Sequence, residues 1–219
     1  MKATVVRMRG TPEPDGVWDK PDWRAAETLV LDRFMGTRPA HVPDTRARLG
    51  YDDAALYVIF RVADRFVRAV ARQTQDPVCR DSCVEFFFSP GPDASQSYFN
   101  LEMNCGGTLL FEFHGRPRAD TVPIAEEDCA RIRVAHTLPK IVDPEIPEPV
   151  VWSVEYRLPL GLLRTYAPVR QPAPGARWRG NLYKCGDATS HPHWLTWAPV
   201  DRPGPDFHVP QDFGVLEFA

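Results

Sequence analysis

SCVEFFFSPGPDASQSYFNLEMNCGGTLLFEF, residues 82–113, decides the fold. In its first third Val84, Phe86 and Phe88 fall on one side of an extended chain, and Glu85 and Phe87 fall on the other. A polar, proline- and glycine-containing stretch follows at residues 90–97. Alternation then resumes, with Phe99, Leu101 and Met103 on one side and Tyr98, Asn100, Glu102 and Asn104 opposite. Gly106 and Gly107 turn the chain into a third apolar run at residues 108–113. Two-residue periodicity broken by turn residues predicts a meander of adjacent antiparallel strands.

The same pattern extends outward on both sides. TRARLGYDDAALYVIFRVAD, residues 45–64, reads as a hairpin: Ala47 and Leu49 alternate with charged residues, residues 51–53 turn, and residues 56–62 are apolar and β-branched. Residues 131–135, 151–158, 178–184 and 213–218 read as further strands, and 29–34 as a short one. Residues 159–163 predict a single helical turn, and residues 12–27 a turn followed by a short helical segment that Asp22 can cap, with Trp23 and Ala26 inward. Residues 64–81 read as either helical or extended. Residues 138–150 carry too many prolines for a helix or a central strand, and 191–200 predict an irregular segment. Eight or more such strands hide their apolar faces economically in two stacked sheets. The expectation is one all-β domain over residues 1–219, an antiparallel β-sandwich with short peripheral helical turns.

Composition supports this architecture and restricts function. The 23 prolines among 219 residues disfavour long helices. A formal charge of -3 argues against a nucleic-acid partner, which usually leaves a basic excess. No apolar run is long enough for a membrane span and no signal peptide is visible, so the expected setting is cytoplasmic, or secreted with the signal removed. Five cysteines, at 79, 83, 105, 129 and 185, leave at least one unpaired thiol, and read as buried free thiols.

Candidate chemistry falls on the hydrophilic alternations. Glu85, Tyr98, Asn100, Glu102 and Asn104 would share one sheet face, which is either plainly solvated or, if covered, in need of polar partners or a ligand. Arg179, Asn181 and Tyr183 form a second polar alternation suited to hydroxyl-rich ligands or to an internal network. Trp178, Trp194 and Trp197 are available either to stack on sugar C–H faces or to seal the core. His191, His193 and His208 raise zinc, and Asp52, Asp53, Asp64, Asp76 and Asp81, near turns, raise calcium. An enzymatic reading would use Glu85 and Glu102 as an acid/base pair, and no serine-hydrolase, zinc-protease or nucleotide-loop motif is present.

The stretches DGVWDKPDW, YDDAALYVIFRVAD, RDSCVEFFFSP, YFNLEMNCGGTLL, WRGNLYKCGD, HWLTWAPV and PDFHVPQDFGVLEF resemble carbohydrate-binding module family 9-like proteins over nearly the whole chain, with residues 178–218 the most specific part. The resemblance implies a jelly-roll-like β-sandwich, structural calcium, and a terminal saccharide unit held between aromatic side chains. For calcium the expected ligands are Asp52, Asp53 and Asp81. In the xylanase-associated modules two tryptophans clamp the sugar, so Trp194 and Trp197 carry that expectation here. Asn104, Arg179, Asn181 and Lys184 lie in the matching motifs and join Glu102 and Tyr98 as expected ligand-binding residues. The function expected is non-catalytic saccharide binding. The alternatives are a glycoside hydrolase using Glu85 and Glu102, or a structural interaction domain.

Overall fold

The computed structural model describes residues 1–115 and 120–219. Its strands, in chain order, are β1 (Lys2–Arg7), β2 (Leu29–Val30), β3 (Arg33–Phe34), β4 (Asp44–Tyr51), β5 (Ala55–Asp64), β6 (Val67–Ala69), β7 (Cys83–Ser89) and β8 (Tyr98–Asn104). They continue with β9 (Leu109–His114), β10 (Thr121–Pro123), β11 (Arg133–His136), β12 (Val142–Ile146), β13 (Val150–Pro159), β14 (Arg177–Cys185), β15 (Trp194–Thr196) and β16 (Gly214–Phe218). The helical turns are short, α1 (Glu126–Cys129) and α2 (Leu160–Tyr166) being the α-helical ones.

One layer runs β10-β9-β8-β7-β14-β16 and the other β4-β5-β13-β11, and β1 joins them. Residues Lys2–Val5 of β1 pair in parallel with β16, and Val6–Arg7 pair in parallel with β4. The result is a curled sheet closed on itself like a half-barrel, the sandwich expected from the alternation and of the jelly-roll-like kind that the family resemblance implies. Val84, Phe86 and Phe88 of β7 and Phe99, Leu101 and Met103 of β8 face the interior, as parity dictates. They meet Val58, Phe60 and Val62 of β5 and Trp152, Val154 and Tyr156 of β13 in one continuous core. Phe88 stacks on Trp178 at 5.8 Å and on Phe99 at 5.4 Å.

The segment left open at residues 64–81 forms β6 and a helical turn at Val78–Arg80. Despite its prolines, residues 142–146 form a strand, β12, but it pairs only with β6 and lies outside the main sheet, where missing donors are tolerated. The 191–200 stretch contributes β15, a three-residue strand pairing β14 and β3.

Strands β7 and β8 are buried on both faces. An antiparallel sheet usually leaves one face in water. Here the outer face is roofed by the segment that leads into β16: Val200, Phe207 and Phe213 pack on Phe87, Tyr98 and Tyr183. That roof turns the polar alternation of β7 and β8 into an enclosed site.

Candidate functional site

Strand pairing assembles the site. Glu85 of β7 stands opposite Glu102 of β8 on one side and Tyr183 of β14 on the other. Cys83 stands opposite Asn104 and Cys185, and Cys185 opposite Trp194 of β15. All of these side chains point to the outer face. Over them opens a cleft of about 210 Å³ lined by Cys79, Glu85, Phe87, Glu102, Cys185, Asp187, Trp194, Asp206, Phe207 and His208, with Pro205 at its edge.

Two walls of the cleft are aromatic. Trp194 is half-buried, and its indole Nε1 donates to Asp187 Oδ1 at 2.7 Å, which fixes the ring plane. Phe207 stacks on Tyr183 at 4.1 Å and 15°, and the Tyr183 hydroxyl donates to the Phe207 carbonyl at 3.2 Å. Rings immobilised in this way offer an apolar face without having to be ordered on binding.

The floor is acidic. Glu102 Oε1 accepts from Asn100 Nδ2 at 3.0 Å, and Glu85 Oε1 accepts from the Cys185 thiol at 3.0 Å. The second oxygen of each carboxylate is buried with no hydrogen-bond partner. Burial raises the Glu102 carboxyl to about 7, against the bond from Asn100, and nearby Glu112 and Asp187 push the same way. Burial, then the facing Glu102, lifts Glu85 well above the carboxylate range. Asp187 is raised by burial in spite of the bond from Trp194. No lysine or arginine lines the cleft among the described residues.

Behind the floor a neutral relay sets the donors. His114 Nε2 lies 2.8 Å from Asn100 Oδ1, an acceptor, and its Nδ1 lies 3.1 Å from the Thr121 hydroxyl. The proton therefore sits on Nε2. Burial lowers the His114 pKa to about 4, as a neutral ring requires. This leaves Asn100 Nδ2 free to donate to Glu102, and Tyr98 stacks on His114 at 4.5 Å.

The residues expected from sequence distribute unevenly. Glu85, Glu102 and Trp194 come together around the cleft, and Tyr98 backs it through a 2.9 Å hydrogen bond between its hydroxyl and His208 Nδ1. Trp197 lies in the core, where the Gly214 backbone packs against its ring so closely that a Cβ there would stand 2.5 Å from it. Lys184 is on the inner face, fully buried, 3.5 Å from Asp64 Oδ2 and 2.7 Å from His193 Nε2. Asn181 is also buried, bonding the Ala198 backbone through both ends of its amide. Asn104 holds the β8–β9 turn, accepting from Gly106 and Thr108 and donating to Asp81 Oδ2 at 2.9 Å. Arg179 donates to the Phe213 carbonyl beside a separate depression near Asp93 and Gln211.

The calcium candidates do not converge. Asp52 caps the β4–β5 turn, accepting from Ala54, Ala55 and the Tyr57 hydroxyl, and Asp53 pairs with Arg7 at 2.7 Å. Asp81 is engaged elsewhere, accepting from the Val70 and Ala71 backbone and from Asn104. The three histidines form no common shell either: His191 and His193 both pack around His41, but His193 turns its ring nitrogens to Lys184 and the His191 carbonyl and His191 stacks on Phe66, while His208 lies apart on Tyr98. A buried group able to coordinate a metal ion is found instead at Cys83, Glu85 and Cys185. Cys79, Asp187 and Phe207 were not anticipated. They lie in turns and in the roof, where no periodicity marks them.

Residues 22–218 match the family model described as Carbohydrate-binding family 9. The chain belongs to Carbohydrate-binding family 9. This family is a non-catalytic carbohydrate-binding module, so the hydrolase alternative for Glu85 and Glu102 is set aside. Among solved structures, the fold is shared by a protein of Bacteroides uniformis ATCC 8492 to which carbohydrate binding has been ascribed, with a TM-score of 0.89 and 28% identity over 100% of this chain and 99% of that one. A family 9 module from Caldicellulosiruptor kristjanssonii in complex with cellotriose superposes with a TM-score of 0.67 at 17% identity, covering 100% of this chain and 93% of that one. A family 9 module from the same organism in complex with glucose gives 0.65 at 16%, covering 99% and 95%. Comparison with curated protein sequences yields no match. No helix among the described residues is long and apolar enough to cross a membrane.

Proposed function

We propose that the cleft beneath Trp194 binds one saccharide unit, without catalysis, at the end of a chain or as a free sugar. The observation that carries this reading is the pair of unpartnered carboxyl oxygens, Glu85 Oε2 and Glu102 Oε2, buried under aromatic walls. An acceptor left unpaired in a buried site costs about 1–3 kcal/mol. Sugar hydroxyls donate hydrogen bonds at the edge of the ring, and the C–H faces of the ring suit the planes of Trp194 and Phe207. A volume of about 210 Å³ fits one pyranose ring better than a run of them. Two family 9 modules of the same fold hold cellotriose and glucose, which supports a saccharide as the occupant.

Glu85 and Glu102 thereby supply hydrogen-bonding oxygens, which accept from sugar hydroxyls when ionised and also donate when burial keeps the proton on. Calcium, implied by the family resemblance, finds no common shell at Asp52, Asp53 and Asp81, and the saccharide reading uses none. Titration calorimetry with neutral mono- and oligosaccharides tests the proposal. Binding by the wild type that falls at least tenfold in Trp194→Ala supports it, and no heat with any sugar overturns it.

A further inference from the structure

We propose that Cys83, Glu85 and Cys185 form a site for a thiophilic divalent cation, zinc foremost, in the floor of the cleft. The inference does not depend on the saccharide reading: with the ion bound, the free oxygen of Glu85 ligates it and that of Glu102 remains for the sugar. Cys83 and Cys185 stand directly opposite each other on β7 and β14, and Glu85 follows Cys83 on the same face. Their donor atoms all lie within 4.8 Å of one another, and all three residues are buried. Zinc bonds of about 2.3 Å to sulfur and 2.0–2.2 Å to oxygen put tetrahedral ligands roughly 3.5–3.8 Å apart, within reach of small side-chain adjustments.

A second observation points the same way. Glu85 is 2% exposed, and its Oε2 has no partner. Its other oxygen is met only by a thiol, a weak donor. Packing accounts for Cys129, whose thiol meets a backbone carbonyl beside apolar neighbours. The Cys83 and Cys185 thiols also reach backbone carbonyls, of Val84 and Cys79, within an apolar cluster, but packing does not account for the half-satisfied carboxyl of Glu85 converging with them beside Glu102 and Asp187. A dication would stabilise these acidic groups in their ionised forms. Burial and the neighbouring carboxylates favour the protonated thiols, with Cys83 raised to about 12, whereas a bound ion favours the thiolates. Two thiolates exclude calcium, which takes six to eight oxygens, and select zinc or its softer congeners. Three protein ligands leave a fourth position toward the cleft, which Glu85 and Cys185 line.

The test uses the full chain, reduced and stripped with EDTA. Addition of Co2+ should give one equivalent of a species with thiolate-to-cobalt charge-transfer absorption, displaced by Zn2+. Zn2+ calorimetry in two buffers of different ionisation enthalpy should show proton release, since the thiols must ionise. Cys185→Ala and Cys83→Ala should each weaken Zn2+ binding on the order of 100-fold, and Cys129→Ala should leave it unchanged. If either cluster variant fails to fold, the cobalt spectrum of the wild type decides alone. Absence of a thiolate band, or binding that survives both cluster substitutions, overturns the proposal.

Discussion

Lys184→Met separates scaffold from site. Lys184 has no exposed surface; its Nζ donates to the Cys185 carbonyl at 2.8 Å and to His193 Nε2 at 2.7 Å, and lies 3.5 Å from Asp64 Oδ2. Because a lysine can only donate and the His191 carbonyl can only accept, His193 must carry its proton on Nδ1, which meets that carbonyl at 2.9 Å. Burial, followed by the charge of Lys184, lowers His193 to about 3 and keeps it neutral. Burial pushes Asp64 up, but the charge of Lys184 and the bond from His41 outweigh it and hold the carboxyl well below its usual range. Methionine preserves the side-chain stem and deletes the charge, leaving Asp64 with His41, Arg65 N and Trp152 Nε1.

Removing one partner of a buried ion pair costs about 3–5 kcal/mol. In a chain of this size each kcal/mol moves Tm by about 2–4 °C, so the expected fall is about 6–20 °C. The sign with pH follows from Asp64. Its lowered pKa stabilises the wild type above the unfolded value of about 3.8 and is lost as pH falls below it, so the gap between wild type and variant should narrow in acid. Circular-dichroism melts between pH 3 and pH 8, with Asp64→Asn and the double variant completing a cycle, measure both quantities. A Tm within about 2 °C of wild type, or an intact Tm with lost sugar affinity, refutes the assignment of Lys184 to the scaffold.

Further predictions concern the cleft. With EDTA present, Glu102→Gln should stabilise the protein at pH 8 by about 3 kcal/mol, from a carboxyl raised from 4.5 to about 7. That advantage should vanish toward pH 4.5, because a raised carboxyl stabilises the fold below its unfolded value and the effect is lost as pH climbs through about 7; urea melts of both proteins at the two pH values give the difference. The same substitution should weaken sugar binding several-fold, since it removes an acceptor, so stability and affinity move in opposite directions. With EDTA present, a uronic acid should bind at least about tenfold more weakly than the matching neutral sugar at pH 8, because acidic side chains and no lysine or arginine line the cleft among the described residues. Competition calorimetry reads this directly, and equal affinity would contradict the acidic floor.

Much of this was legible from parity alone. Two-residue alternation in β7 and β8 placed Phe86 and Leu101 inside and Glu85 and Glu102 outside, and strand pairing then brought the carboxylates together. Parity also separates residues that chemical type groups together. Lys184 is one step from Tyr183 and so faces the core, and Trp197 is three steps from Trp194 and likewise turns inward. The family resemblance of their motifs, taken without parity, assigns both to the site. The residues that sequence did not reveal, Asp187 and Phe207 above all, lie in turns and in the roof. There the backbone follows tertiary contacts, and no period predicts which side chains look down. For the same reason nothing in the pattern indicated that the outer face of β7 and β8 would be covered.

The most direct test of the account is a crystal structure soaked with the sugar that binds best in calorimetry. One ring should lie against Trp194, with hydroxyls within hydrogen-bond distance of the free oxygens of Glu85 and Glu102. A sugar seated instead beside Arg179 and Gln211, with the Trp194 cleft holding only solvent, would contradict it.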